Sequence, residues 1–327
     1  MTTWLFGMAV LVAAMVVIGG ITRLTGSGLS MVEWRPIAGT LPPLNKEEWE
    51  RVFDLYKRSP EYQKYNLGMP MGEFKTIFFW EYIHRLWGRI LGVFFTIPLI
   101  VFASFGCVPH GFGPRLILLF LLGLTQGIVG WWMVKSGLTE DASVSQYRLV
   151  VHLAVALVIF SLLLWSAFDL RDGRSNMPSG NALASLLLLI ITILAGALVA
   201  GMEAGLMYNE FPFMGDNIIP EEYGTLGSLD PLENPASAQF HHRHIALFTT
   251  ICVLIYCYRN YTHSSDGIVK KYSLFMSAIV CFQFFLGIFT LINMVPIYLG
   301  ALHQTGAVIL FIFLTIIMHR LNIIRIN

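Results

Sequence analysis

The sequence predicts an all-α integral membrane protein with eight spanning helices, built as two tandem four-helix bundles related by a pseudo-two-fold axis along the membrane normal. Three observations predict it. Of 327 residues, 56% are hydrophobic and only 13% charged. The apolar runs reach the roughly 20 residues needed to cross a bilayer. The second half of the chain also repeats key residues of the first at nearly constant offsets.

The runs fall at about 4–22, 77–105, 114–134, 147–168, 182–202, 240–259, 273–292 and 299–319. An even count puts both termini on one side. The first run follows Met-Thr-Thr with no basic residue and ends in Gly19-Gly20-Ile21-Thr22-Arg23 rather than a small-x-small cleavage site, so it is expected to be a retained helix. Pro98 is expected to kink or shorten the second helix. Basic residues stay on the cytoplasmic side. Arg115 lies in the second loop, Arg171 and Arg174 in the fourth, Arg259, Lys270 and Lys271 in the sixth, and Arg320 and Arg325 at the C-terminus. The fifth and seventh loops have none, while the third (Lys135, Arg148) and the mixed-charge first carry less weight. Both termini and the even loops are therefore expected in the cytoplasm.

The first outer loop, 23–76, contains an amphipathic stretch from Asn45 to Lys64 with Trp49, Val52, Phe53 and Tyr56 at helical spacing. It suits a membrane-surface helix, a lid over a pocket or a solvated surface helix. The fifth loop, 203–239, has seven acidic residues, no Lys or Arg, and Pro and Gly throughout, as expected of an irregular ordered cap. Cys107, Cys252, Cys257 and Cys281 all lie within or at the ends of apolar runs, where they are expected to pack rather than pair. A net charge of +1 argues against nucleic acid as a partner and leaves the lipid bilayer as the evident one.

The repeat aligns Gly28-Leu29 with Gly205-Leu206, Glu33 with Glu210, Trp34 with Phe211 and Pro43 with Pro220, all at offset 177. His84-Arg85 meets His242-Arg243 at 158, Gln126 and Gly130 meet Gln283 and Gly287 at 157, and His152 meets His303 at 151. The halves are 1–173 and 174–327. Because each unit has an even number of helices, both copies insert in the same orientation, hence the axis along the membrane normal.

His84, His152, His242 and His303 each lie near the start of a helix running inward from the outer face, so all four are expected at one depth. Two imidazoles from opposite helices can clamp a haem iron inside a bundle. A single intramembrane histidine is commonly a hydrogen-bonded core residue, but four at matched depth and repeat position favour ligation. Zinc fits less well, since no carboxylate or cysteine has the usual ligand spacing. His110, His263 and His319 fall at cytoplasmic ends, and the repeat selects His242 over its neighbours His241 and His244.

Arg85 and Arg243 directly follow a ligand candidate, and Arg89 lies one turn beyond Arg85. A buried cation needs a partner. Haem propionates suit a guanidinium, as do outer-loop carboxylates or lipid phosphates. The halves differ at Glu81, three residues before His84 on the same helix face, where the second half has Gln239. A charge in a membrane costs roughly 3 kcal/mol on insertion scales. Glu81 either pairs with Arg85 or serves as acid, base or charge stabiliser, which makes the first half the reactive one.

The segments GGITRLTGSGLSMVEW at 19–34 with Pro36, Gly39 and Pro42-Pro43, EYIHRLWGR at 81–89, YNEFPFM at 208–214, NPASAQFHHR at 234–243 and LHQTGA at 302–307 carry a resemblance over essentially the whole chain. The chain resembles the haem A synthase family, in its proteobacterial and mitochondrial branch. The resemblance implies an enzyme that oxidises the C8 methyl group of haem O to a formyl group by successive hydroxylations, giving haem A for cytochrome c oxidase. It implies that His84 and His152 bracket the substrate haem O, that His242 and His303 are axial ligands of a haem b iron, and that Glu81 acts close to the substrate. It also implies an inner-membrane location (bacterial plasma membrane or mitochondrial inner membrane), haem O synthase as a partner, and an electron donor that the sequence does not identify. The Gram-positive branch has a cysteine pair in the first outer loop, and this loop has none. Two other readings of the same residues are a di-haem b electron carrier and a haem transporter or chaperone. Whether the chain forms a homo-oligomer, where the inserted oxygen originates and how haem O enters are left open.

Overall fold

The computed structural model describes residues 1–34, 38–139, 141–176, 178 and 180–323; Pro36 and Arg325, named above, lie outside the described residues. The helices are α1 (Thr2–Leu24), α2 (Lys46–Tyr56), α3 (Pro60–Lys64), α4 (Met71–Ser104), α5 (Gly113–Thr139), α6 (Gln146–Asp172), α7 (Asn181–Gly201), α8 (Asp230–Glu233), α9 (Pro235–His263), α10 (Gly267–Ile292) and α11 (Ile297–Leu321). Among the described residues there is no strand beyond two isolated bridges. Seven helices, α1, α4 to α7, α10 and α11, are long and apolar enough to cross a membrane. The chain is therefore an all-α, multi-pass membrane protein. The remaining expected span, 240–259, lies in α9, which has 29 residues but carries His241, His242, Arg243 and His244 near its start. That polar cluster makes it less apolar than the rest.

The chain packs as two compact units, Leu11–Ala156 and a second formed by Met1–Val10 with Leu157–Asn327. α1 and α6 each contribute to both.

In the unit Leu11–Ala156, α4 has 34 residues, about 50 Å at 1.5 Å per residue, well beyond a hydrocarbon core of about 30 Å. The surplus turns carry Phe74 and Phe78 into an aromatic cluster with Phe53, Tyr56 and Tyr62, against which Trp49, Val52, Met31 and Val32 also pack. Phe53 and Tyr56 stack on Phe74 at 4.7 and 5.2 Å, and Trp49 meets Phe78 edge-on at 5.1 Å. The amphipathic face of the first outer loop is thus covered by α4. The stretch is two helices rather than one. Asn45 caps α2 by accepting from the Glu48 N–H at 2.8 Å. Ser59 caps α3, with Pro60 in its first turn, where the ring fits a helix start and cannot continue one. Pro98 does not shorten α4, which continues to Ser104. A proline deletes one ladder N–H, a loss that membrane helices tolerate.

In the other unit, His319 on α11 lies 2.9 Å from Asp169 on α6, both fully buried. The Ser175 N–H and hydroxyl also donate to Asp169, and the rings of Trp165 and Phe168 flank the imidazole. His319 is therefore a core residue as well as a helix-end one. The four cysteines are free thiols. The 203–239 loop is built of turns gathered on Asp230, which accepts from the N–H groups of Gly224 and Leu226, the Asn234 amide and the Ser237 hydroxyl. Burial alone would raise its pKa, but the Ser237 hydroxyl and the other donors outweigh it and hold the carboxyl well below the usual range.

Asp169→Ala strips a buried partner from His319, and breaking such a pair costs about 3 kcal/mol. A clear drop in the unfolding midpoint in detergent is expected. Asp172→Ala, which removes the partner of the half-exposed Arg171, is expected to cost under about 1 kcal/mol. Equal shifts in the two variants would contradict a structural role for the buried pair.

Candidate functional site

Each of the four histidines meets a glycine of a neighbouring helix. A Cβ added to Gly19 on α1 would stand 3.3 Å from Nε2 of His84 on α4, and one on Gly130 of α5 would stand 3.1 Å from Cε1 of His152 on α6. In the second half, Gly196 on α7 stands in the same relation to His242 of α9 at 3.0 Å, and Gly287 on α10 to His303 of α11 at 2.8 Å. These glycines obey the repeat, Gly19 with Gly196 at 177 and Gly130 with Gly287 at 157. The missing side chains let an imidazole lie against bare helix backbone.

Two glutamines complete the shells. Gln126 Nε2 lies 3.2 and 3.3 Å from the His152 ring nitrogens and donates to the His152 carbonyl at 3.2 Å. Gln283 Nε2 lies 3.0 Å from His303 Nδ1 and donates to the His303 carbonyl at 2.6 Å. Gln283 occupies the space a side chain on Gly306 would need, which accounts for that glycine in the LHQTGA segment. Both glutamines marked the repeat in the sequence, but their contact with the histidines was not read there. Their equal offset from the glycines was the available signal.

The sites fit a flat, iron-bearing ring. His242 Nδ1 and the Oε1 atoms of Gln126 and Gln283 are buried without a hydrogen-bond partner, and the glycine cradles are ones a Cβ would fill. Among the described residues no three His, Cys, Asp or Glu side chains converge on a point; the candidate donors are the imidazoles of His84, His152, His242 and His303, and imidazole is a haem-iron ligand.

Glu81, 2% exposed, accepts from the Ser30 hydroxyl at 2.6 Å, the Met31 N–H at 2.8 Å and the Arg85 guanidinium at 2.5 Å. Arg85 also donates to the Met31 carbonyl at 2.9 Å and, more distantly, to that of Glu33 at 3.5 Å, and lies over the Trp34 ring. In the second half, Arg243 donates to the carbonyls of Tyr208 at 2.9 Å, Glu210 at 3.0 Å and Phe213 at 3.2 Å. Met31 and Glu33 match Tyr208 and Glu210 at offset 177, so the arginine clasp is duplicated. The carboxylate is not. Gln239 donates to the Tyr208 carbonyl at 3.0 Å, and Met207 stands where Ser30 does.

Above the first site, a cavity of about 100 Å³ is lined by Ser30, Glu33, Arg51, Arg85 and Arg89. Arg51 of α2 pairs with Glu33 at 3.1 Å and Glu48 at 2.7 Å, and α2 forms one wall of this cavity. A second cavity of about 230 Å³ is lined by Trp34, Arg85, Trp131 and Lys135.

An alanine at Gly287 favours helix, yet its methyl would overlap His303. Gly287→Ala is expected to weaken retention of haem in the purified protein on the order of tenfold. Gly123→Ala, on the same helix as Gly130 but with nothing within 4 Å of the added Cβ, is expected to leave the haem spectrum unchanged. Loss in both, or in neither, would sever the cradle from the histidine.

Residues 2–315 match the cytochrome oxidase assembly protein family. The chain is 43% identical over 321 residues to the haem A synthase of Nitrosospira multiformis, covering 94% of this chain and 89% of that protein. It is 43% identical over 317 residues to that of Parvibaculum lavamentivorans, covering 94% and 90%, and 44% over 316 residues to that of Caulobacter sp. K31, covering 94% and 92%. With the family match spanning residues 2–315 and these relatives covering 94% of the chain, the chain belongs to the haem A synthases within the cytochrome oxidase assembly protein family.

Proposed function

We propose that this chain oxidises the C8 methyl group of haem O to a formyl group, yielding haem A for terminal oxidases. The observation that carries the reading is the asymmetry at one repeat position: the histidine, glycine, glutamine and arginine positions are duplicated, while the buried carboxylate of Glu81, with three donors, is matched in the second half by the amide of Gln239. A site that only carried electrons would have no use for that difference. His84 and His152 hold the substrate haem O, and His242 and His303 hold a haem b. When bound there, haem b supplies one-electron redox chemistry.

The chain's own residues do the rest. Gly19 and Gly130 let the imidazoles of His84 and His152 lie against helix backbone. Arg85 fixes Glu81 and joins α4 to the loop after α1. Glu81 presents an acceptor-rich, negatively polarised point beside the substrate edge, suited to stabilising positive charge as the methyl carbon is oxidised, or to taking its proton at Oε1 or Oε2. Two successive hydroxylations, each needing a two-electron oxidant and an oxygen atom from outside the chain, would take the methyl carbon through an alcohol to a hydrated aldehyde, which loses water to give the formyl group. Arg85 and Arg243, spent mainly on backbone carbonyls, retain N–H directions for propionates.

The same reading takes α9 as the eighth span and the halves 1–173 and 174–327 as tandem bundles, with both termini cytoplasmic in an inner membrane. Haem O synthase supplies the substrate, and a separate donor supplies electrons. A second reading, a di-haem b carrier, draws on the near-identity of the two histidine shells.

Haems extracted from cells expressing this protein beside haem O synthase, separated chromatographically and weighed by mass spectrometry, decide between them. Wild type is expected to yield haem A. Glu81→Ala is expected to lower it on the order of a hundredfold, with haem O or the alcohol accumulating. Haem A absent from both samples, with the protein inserted and electrons supplied, would favour the carrier.

A further inference from the structure

In the unit Leu11–Ala156, the cavity of about 230 Å³ takes its walls from Met31, Val32 and Trp34 after α1, from Arg85 on α4, and from the last turns of α5, which bring Trp131 and Lys135. These residues adjoin the first histidine shell. Arg85 directly follows His84, and Trp131 directly follows Gly130, whose missing side chain makes room for His152.

Both cations of the cavity lie against tryptophan rings, Arg85 Cζ 5.3 Å from the Trp34 centroid and Lys135 Nζ 5.3 Å from that of Trp131. Their charges are not equivalent. Arg85 is paired with Glu81 at 2.5 Å and donates to the carbonyls of Met31 and Glu33. Among the described residues Lys135 has no carboxylate partner, and none of those that line the cavity is acidic. Glu33, which lies between two lining residues in sequence, is held by Arg51 at 3.1 Å. The cavity therefore carries one uncompensated positive charge between two aromatic walls. An ammonium so placed attracts an anion, and the rings favour an anion borne on a flat apolar body.

The second half has no such group. At offset 157 Lys135 meets Ile292 and Trp131 meets Ile288, and at offset 177 Trp34 meets Phe211. Lys135 is thus a second charge, after Glu81, that the repeat does not copy. A substrate has a need that a resident haem lacks: one methyl group of several must meet the reacting groups at every turnover. Axial imidazoles alone leave a haem free to turn about the axis through its iron, so its edge has to be held. In haem O the C8 methyl group shares its pyrrole ring with a propionate. A propionate drawn into this cavity brings that methyl group towards the Arg85–Glu81 pair.

We infer that Lys135 binds a propionate of the substrate haem and thereby sets the rotation of the ring in the first site. The inference deepens the proposed oxidation and rests on it for the choice of substrate, while the binding it describes needs no turnover.

The test titrates the full-length protein, in lipid nanodiscs, with haem O and with haem O whose propionates are methyl esters, followed by optical spectra. Wild type is expected to bind the free acid about fivefold more tightly than the ester. Lys135→Met is expected to weaken the free acid by about fivefold and to change the ester by less than about twofold, and Lys135→Arg to keep the preference. Equal weakening of both forms would mean that Lys135 only packs, which overturns the inference. So does an effect of Lys135→Met seen in phosphatidylglycerol discs and absent from phosphatidylcholine discs, since the ammonium would then serve a lipid phosphate. A free-acid preference that Lys135→Met abolishes, in a protein that forms no haem A, would sink the oxidation and leave Lys135 as the propionate partner. Haem A formed without any such preference would do the reverse, and failure of every sample to bind haem O would overturn both.

Discussion

A guanidinium in a membrane protein must find its acceptors within the chain, and the way Arg85 and Arg243 do so organises both sites. Each grips backbone carbonyls two residues apart in the segment that follows the preceding long helix, 31 and 33 in one case and 208 and 210 in the other. Because each arginine directly follows a histidine, the clasp sets the rotation of the ligand helix about its own axis. A turn of a few tens of degrees would swing His84 off Gly19, or His242 off Gly196. Removing the clasp would also cost the part-buried carbonyls of Met31, Glu33 and Tyr208 their arginine donors. The outer segments are in this sense structural parts of the histidine sites.

Within that frame the carboxylate of Glu81 and the amide of Gln239 differ by one atom. Replacing a carboxylate oxygen with an amide nitrogen turns residue 239 from an acceptor of a backbone N–H into a donor to a backbone carbonyl. Ser30, needed to satisfy Glu81, becomes Met207, for which no polar partner is required. The change is concerted because a half-satisfied buried carboxylate would be costly. The cost of desolvating Glu81 is offset by three donors, one of them charged, whereas the second half buries a neutral amide whose Nε2 is satisfied and whose Oε1 has no partner.

Much of this was legible in the sequence because the repeat is a long-range signal that needs no contacts to read. The offsets picked out His84, His152, His242, His303 and the Glu81/Gln239 difference. They also marked Gln126, Gly130, Gln283 and Gly287, but spacing does not say which way a side chain turns, so their contact with the imidazoles stayed hidden. Hydropathy located the spans and misjudged the start of α4, since Met71 to Thr76 are helical through packing on α2 and α3 rather than through contact with lipid. The break at Ser59-Pro60 was written in plain residues, whereas the burial of Glu61 beside it depends on Phe74 arriving from another element. His319 and Asp169 lie 150 residues apart outside any matched segment, and nothing local foretells that they meet.

Duplication followed by a single electrostatic change has a physical logic. A redox centre that only passes electrons works best when little around it reorganises, and a neutral amide locked to a backbone carbonyl meets that demand. A centre where a carbon–hydrogen bond must be broken needs a fixed charge already in place, since reorientation of dipoles at that moment would add to the barrier. The clasp lets one scaffold serve both purposes: it holds residue 81 or 239 against the outer segment with the same arginine, whichever group that residue carries. Changing the charge therefore leaves the histidine, glycine and glutamine shell where it was, and the chemistry of one half can diverge without disturbing the geometry that both halves share.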